Sequence, residues 1–211
     1  MEKYIDLKTE LNYEKLKEPA KIIRDGGIVI FPTETVYGIG TNGLDEKAIK
    51  KIYEVKQRSF NKPISLLVNN IEMVNKIAKN ISKLEYKIME SFFPGPLTII
   101  LEKRDIIPNI LTANTNTVGI RMPSGKIAKK LIEYAGVPIA TPSANISGRP
   151  SGTNIRDIQK DFEGKVDYFI DNGESKIGIP STIVKVINEK IHILREGSIS
   201  KEQINKIVQN Y

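Results

Sequence analysis

Gly26-Gly27-Ile28-Val29-Ile30-Phe31-Pro32-Thr33-Glu34-Thr35-Val36-Tyr37-Gly38-Ile39-Gly40 decides the reading of this chain. The unbroken apolar run 28–31 has the length and character of a strand buried on both faces of a sheet. It empties into a segment of hydroxyls, one carboxylate and glycines. A buried strand has no structural need for Pro-Thr-Glu-Thr at its end. Ligands of open α/β sheets gather at strand ends of this kind, so the segment reads as part of a site for a small polar molecule.

Working outward, Pro19 opens a helix that ends at Asp25, with Gly26 as its stop. Residues 45–56 carry Ala48, Ile49, Ile52, Tyr53 and Val55 at helical spacing, with Asp45 as N-cap. Residues 64–68 read as a second buried strand and 82–93 as a helix stopped by Pro94-Gly95-Pro96. Strands are expected at 97–101, 117–122, 137–140, 168–171, 182–187 and 191–195. Helices are expected at 126–135, closed by Gly136, at 154–162, capped by Asn154, and at 200–208, opened by a Ser200/Gln203 capping box. Helices and strands alternate without a strict repeat. The class is therefore α/β, a twisted mixed sheet with flanking helices. No internal repeat or linker interrupts residues 1–211, so one domain is expected.

The chain has 211 residues and 40% hydrophobic residues, enough for an ordinary core. Its formal charge of +7 favours anionic partners such as nucleotides or RNA. A solvated lysine-rich surface would explain the same charge. There is no cysteine, which removes disulfides, thiolate catalysis and cysteine-ligated zinc, and fits a cytoplasmic protein. No apolar run approaches the roughly 20 residues that span a bilayer, so no membrane role is expected.

Gly38-Ile39-Gly40-Thr41-Asn42-Gly43 formally satisfies the dinucleotide fingerprint. Its strand ends too early, however, and no acidic residue stands about 20 positions beyond to hold a ribose. Turn geometry and close backbone approach explain the glycines better. Lys56 and Arg58 follow a helix. In an extended segment they would point the same way and converge on one anion. Arg121 and Arg195 each end an apolar strand, where a cation must meet water, a carboxylate or a phosphate. The loop 141–153 is rich in hydroxyls, but the lone histidine, His192, lies in an alternating strand. Ser143 therefore reads as a hydrogen-bonding group and not as a triad nucleophile.

Taken together, segments 31–40, 56–63, 93–98, 117–122 and 142–153, with 179–183 and 194–197, resemble the YrdC-like threonylcarbamoyl-AMP synthases. The resemblance runs from about residue 19 to 197. It implies an open, twisted α/β sheet of the YrdC-like fold around a positively charged cleft. It also implies synthesis of L-threonylcarbamoyl-AMP from L-threonine, bicarbonate or CO2, and ATP, with Mg²⁺ arriving on the nucleotide. Pyrophosphate is released, and a downstream transferase complex moves the product's acyl group onto tRNA. By the same resemblance, Lys56, Arg58, Ser143 and Asn145 form a catalytic, ATP-binding tetrad. Thr35, Arg121, Thr141 and Ser181 take threonine. Lys62, Thr117, Ser151 and Arg195 add nucleotide contacts. The family's frequent histidine after the Lys-x-Arg segment is Leu67 here. The alternative reading is a non-catalytic paralogue that binds RNA through the basic cleft. Direct tRNA contact is left open by either reading.

Overall fold

A computed structural model describes residues 3–209. In chain order the elements are β1 (Lys3–Asp6), a 3-10 turn (Tyr13–Leu16), α1 (Lys17–Arg24), β2 (Val29–Phe31), β3 (Gly38–Asn42), α2 (Glu46–Val55), β4 (Leu66–Leu67), α3 (Ile71–Ile77), β5 (Ala78–Lys79) and α4 (Lys83–Phe92). There follow β6 (Leu97–Lys103), β7 (Thr117–Arg121), α5 (Lys126–Ala135), β8 (Ile139–Ala140), α6 (Ile155–Phe162), β9 (Tyr168–Asp171), β10 (Thr182–Ile187), β11 (Lys190–Arg195) and α7 (Lys201–Gln209). The sheet runs β1-β9-β2-β3-β8-β4-β7-β6-β10-β11, with β5 on the flank of β6. Parallel pairs, such as β2 with β9 and β4 with β7, alternate with antiparallel ones, such as β2 with β3 and β6 with β7. The sheet is mixed and open, as its sequence predicts.

Residue alternation explains why the central strands read as continuous apolar runs. Ile28 and Ile30 face a core built with Ile49 and Ile52 of α2, Ile88 of α4 and Phe162 of α6. Val29 and Phe31 face the opposite core, with Ala20 and Ile23 of α1 and Leu131 of α5. Both faces are covered, so neither set can be polar. On the second face, the floor formed by β4, β7, β6 and β10 carries Leu67, Arg121, Thr98 and Ile183 beneath a cleft. Register aligns these positions: Leu67 is opposite Arg121, and Thr98 is opposite Ile183.

The caps follow the sequence closely. The Asp45 side chain accepts from Lys47 N and Ala48 N, and Asn154 accepts from Asp157 N. Ser82 and Glu85 form a reciprocal capping box, as do Ser200 and Gln203. Gly136 closes α5 at φ 70°, a left-handed conformation that suits glycine. One reading needs correction. Gly38 to Asn42 is not a turn but a strand, antiparallel to β2 with Phe31 opposite Gly38 and Val29 opposite Gly40. Glycine is needed there for close approach: a Cβ on Gly40 would stand 2.6 Å from Phe31 Cε1, and one on Gly38 2.5 Å from Thr141 Cγ2. Four further elements, β1, the 3-10 turn Tyr13–Leu16, α3 and β5, lie in segments where the sequence predicts none.

Candidate active site

The two polar loops singled out in the sequence meet at the cleft and are joined through their backbones. Tyr37 N donates to Gly152 O at 3.0 Å, Ile39 N to Pro142 O at 3.0 Å and Ala144 N to Tyr37 O at 2.8 Å. Gly38 and Ser143 form an isolated antiparallel bridge. A third segment closes over the first, as Ile177 N donates to Glu34 O and Gly178 N to Thr35 O. The cleft has a volume of about 210 Å³.

Three arginines line it: Arg58, Arg121 and Arg195. Arg121, at the end of β7, donates through Nη1 to Thr35 Oγ1 at 2.9 Å and through Nε to Gly95 O at 3.3 Å. Arg58 donates to the carbonyl oxygens of Lys62 and Pro63 at 3.1 and 2.9 Å. Arg195 donates through Nη2 to Ser181 O at 2.7 Å, and Ser181 Oγ shares a hydrogen bond with Thr98 Oγ1 at 2.8 Å. Burial, and then the charges of Arg121 and Arg58, push the Arg195 pKa down. Burial also pushes Arg58 down. Guanidinium groups remain charged despite such shifts, so the cleft concentrates positive charge that an anion would neutralise.

Of the residues picked from sequence, Thr35, Arg58, Arg121, Thr141, Ser143, Ser151, Ser181 and Arg195 line the cleft together. Four do not: Lys56, Lys62, Thr117 and Asn145. Lys56 is 1% exposed, and its ammonium donates to the carbonyl oxygens of Ser143 and Asn145. The extended geometry expected to aim Lys56 and Arg58 together is broken at Gln57, whose φ is 51°. Burial, and then the nearby Arg58, lower the Lys56 pKa to about 7. Asn145 turns back on its own loop, accepting from Ser143 Oγ at 2.6 Å and donating to Ile146 O and Arg149 O. The Lys62 side chain is exposed, while its carbonyl accepts from Arg58 and Tyr53. Thr117 lies on the same face of β7 as Arg121, four residues away and outside the cleft lining.

Glu34 and Thr98 carry roles that sequence reasoning did not assign. Glu34 Oε1 stands 2.7 Å from Arg121 Nη2. The signal was present, since a lone carboxylate among hydroxyls requires a cation or N–H donors once it is buried. Leu67 is 3% exposed and places an apolar wall beside Arg121.

An open α/β sheet with three arginines and a ring of hydroxyls on its strand ends forms a cleft whose chemistry suits a ligand bearing more than one anionic group. Among the described residues, the cleft lining includes no carboxylate. The chain belongs to the Sua5/YciO/YrdC family, whose model, described as "Telomere recombination", matches residues 21–197. It is 41% identical to the threonylcarbamoyl-AMP synthase of Pyrococcus abyssi, over 97% of this chain and 60% of that protein. The crystal structure of P. abyssi Sua5 complexed with L-threonine superposes with a TM-score of 0.94, at 41% identity, covering 97% of this chain and 60% of that one. The chain thus spans 60% of the length of the Pyrococcus relative. A Methanocaldococcus jannaschii relative is 43% identical over 92% of this chain and 93% of its own length.

Proposed function

We propose that this chain is a nucleotidyltransferase that makes L-threonylcarbamoyl-AMP from L-threonine, bicarbonate or CO2, and ATP. Pyrophosphate is released. The observation that carries this reading is the joining, in one cleft, of Arg121 and Thr35 with Arg58, Arg195 and Ser143. The likeness to named synthases supports it.

In the proposed reaction the threonine carboxylate lies against Arg121. The amine captures CO2 and loses a proton, giving a carbamate. A carbamate oxygen attacks the α-phosphorus in line, the bond to the β-phosphate oxygen breaks, and pyrophosphate leaves. Positioning and charge neutralisation dominate such transfers. Arg58 and Arg195 would stabilise the charge developing on the leaving group. Ser143 would orient the nucleotide. Lys56 and Asn145 would act from behind, by fixing the loop that presents Ser143.

Mg²⁺ would enter on the triphosphate and keep much of its water shell. The lining residues do not themselves form a metal site, because the nearby Glu34 carboxylate is engaged by Arg121, Ser124 N and Gly125 N. The product would supply a transferase complex that forms threonylcarbamoyladenosine in tRNA. The cytoplasm, where tRNA is modified, is the natural setting, and among the described residues no helix is long and apolar enough to cross a membrane.

The test is mass spectrometry of the adenylate, with pyrophosphate measured in parallel, on the folded chain given ATP, L-threonine and bicarbonate. Release that requires both L-threonine and bicarbonate is expected. Equal release without threonine would exclude the synthase reading.

A further inference from the structure

Arg121 is not a bare cation. Its Nη2 lies 2.7 Å from Glu34 Oε1, and both side chains are only 9% exposed. Glu34 is held from the other side as well: Oε1 accepts from Ser124 N at 3.1 Å and Oε2 from Gly125 N at 3.2 Å. Burial alone would push the Glu34 carboxyl up. The Arg121 charge and the backbone donors more than offset it, and the net shift is downward, so Glu34 is ionised at neutral pH. The pair is electrically neutral. Nη2 is buried and, despite its 2.7 Å contact with Glu34, lacks a well-directed hydrogen bond. Arg58 and Arg195 differ. Their partners are carbonyl oxygens and the Ser181 hydroxyl, and among the described residues neither forms an ion pair.

We infer that Glu34 is a specificity-determining residue: by cancelling the charge of Arg121, it reserves that end of the cleft for a single carboxylate and leaves phosphate oxygens to Arg58 and Arg195. This rests on the reading of the cleft as an amino-acid and nucleotide site. A neutral pair holds a monoanion through directed hydrogen bonds, which depend on the geometry of the guanidinium fork. It adds little net attraction for a polyanion. An uncompensated third guanidinium would attract phosphate oxygens to both ends, and the two substrates would compete. Discrimination here depends on a built-in cost for the wrong ligand as well as contacts for the right one.

Inorganic pyrophosphate, titrated calorimetrically into the wild-type chain, E34Q and E34Q/R121M, tests this, with circular dichroism as the check on folding. E34Q is expected to bind pyrophosphate at least about tenfold more tightly, and E34Q/R121M to return to within about threefold of wild type. An unchanged affinity in E34Q, or a gain that survives loss of Arg121, overturns the assignment. If E34Q does not fold, E34D carries the test. It keeps the charge, so pyrophosphate affinity stays at the wild-type value, and a gain of about tenfold there overturns the assignment. L-Threonine titrated in parallel separates the two readings. Failure of the wild-type chain to bind it counts against the synthase function, whereas the pyrophosphate contrast alone decides the role of Glu34.

Discussion

Lys56 and Ser143 are joined through the backbone: the buried ammonium of Lys56 donates to the Ser143 carbonyl oxygen, and also to that of Asn145. The lysine holds the serine loop from beneath.

Lys56→Ala should therefore cost stability as well as activity. It strips a donor from two carbonyls at a site 1% exposed: Ser143 O keeps its bond from Asn145 N, whereas Asn145 O loses the ammonium. A loss of about 1–3 kcal/mol is expected in urea denaturation, from the usual cost of an unsatisfied buried acceptor. A change below about 0.5 kcal/mol, the range of ordinary surface positions, would return Lys56 to the cleft surface.

The same lysine gives a pH signature. Burial lowers its folded pKa from 10.5 to about 7. Between those values the unfolded chain binds more protons than the folded one, so this group makes stability rise with pH across that window. Below about pH 7 the cost of burying the charged form is fully present. Lys56→Met removes the group. The melting-temperature difference, wild type minus Lys56→Met, should become more positive from about pH 7 to about pH 9. A flat difference would count against it.

Arg58→Ala should separate chemistry from folding. Arg58 faces the cleft and otherwise bonds only to surface carbonyls. A fall in kcat/KM equivalent to about 2–4 kcal/mol is expected, with little change in denaturation midpoint. Pyrophosphate release within about threefold of wild type would remove Arg58 from the mechanism.

Arg121→Lys keeps a charge but cannot meet Thr35, Gly95 and Glu34 with one planar fork. Threonine binding should weaken by about 1.5–3 kcal/mol, the scale of a hydrogen bond to a charged group, while ATP binding stays nearly unchanged. Separate calorimetric titrations distinguish the two. Equal weakening of both ligands would show that the cleft is not divided in this way.

Asp171 ties the first strand to the site. It accepts from Tyr4 at 2.6 Å, Lys8 at 2.8 Å and Gly173 N at 2.9 Å, and the Tyr37 hydroxyl donates to Gly173 O at 2.7 Å. Burial would raise its pKa, but Lys8, Tyr4 and Gly173 N bring it below the ordinary 3.8. The stability this group contributes is thus present above that value and lost as pH falls through the folded pKa. Asp171→Asn should cost about 1–2 kcal/mol at neutral pH, and the gap should close in acid. Thermal melts at both ends of the range would decide it.

The strand 28–31, the helix 45–56 with its Asp45 cap and both polar loops were legible because local patterning alone specifies them. Gly38 to Asn42 was harder, since its glycines answer to Phe31 and Thr141, contacts that no local window contains. The short helix Ile71–Ile77 has too few turns for a periodic signal, and Lys3–Asp6 is a charged edge strand. In the site, residue type and position marked Arg58 and Arg121 as cations in need of a partner, and the family resemblance brought them to one cleft, which they line together. The burial of Lys56 was not, because a left-handed Gln57 cancels the alternation expected of a strand. Glu34 depends on an arginine 87 positions away, and only the fold brings the two together.

The bonds that stitch residues 37–39 to residues 142–152 use main-chain atoms only. Main-chain contacts are indifferent to side-chain identity. A hydroxyl such as that of Ser151 can therefore be exchanged without displacing the frame, whereas Thr35, bonded to Arg121, and Thr141, packed against Gly38, are tied in by their side chains. The scaffold is in this sense mutationally permissive along that seam: side chains between its main-chain bonds can change one at a time while the seam stays closed.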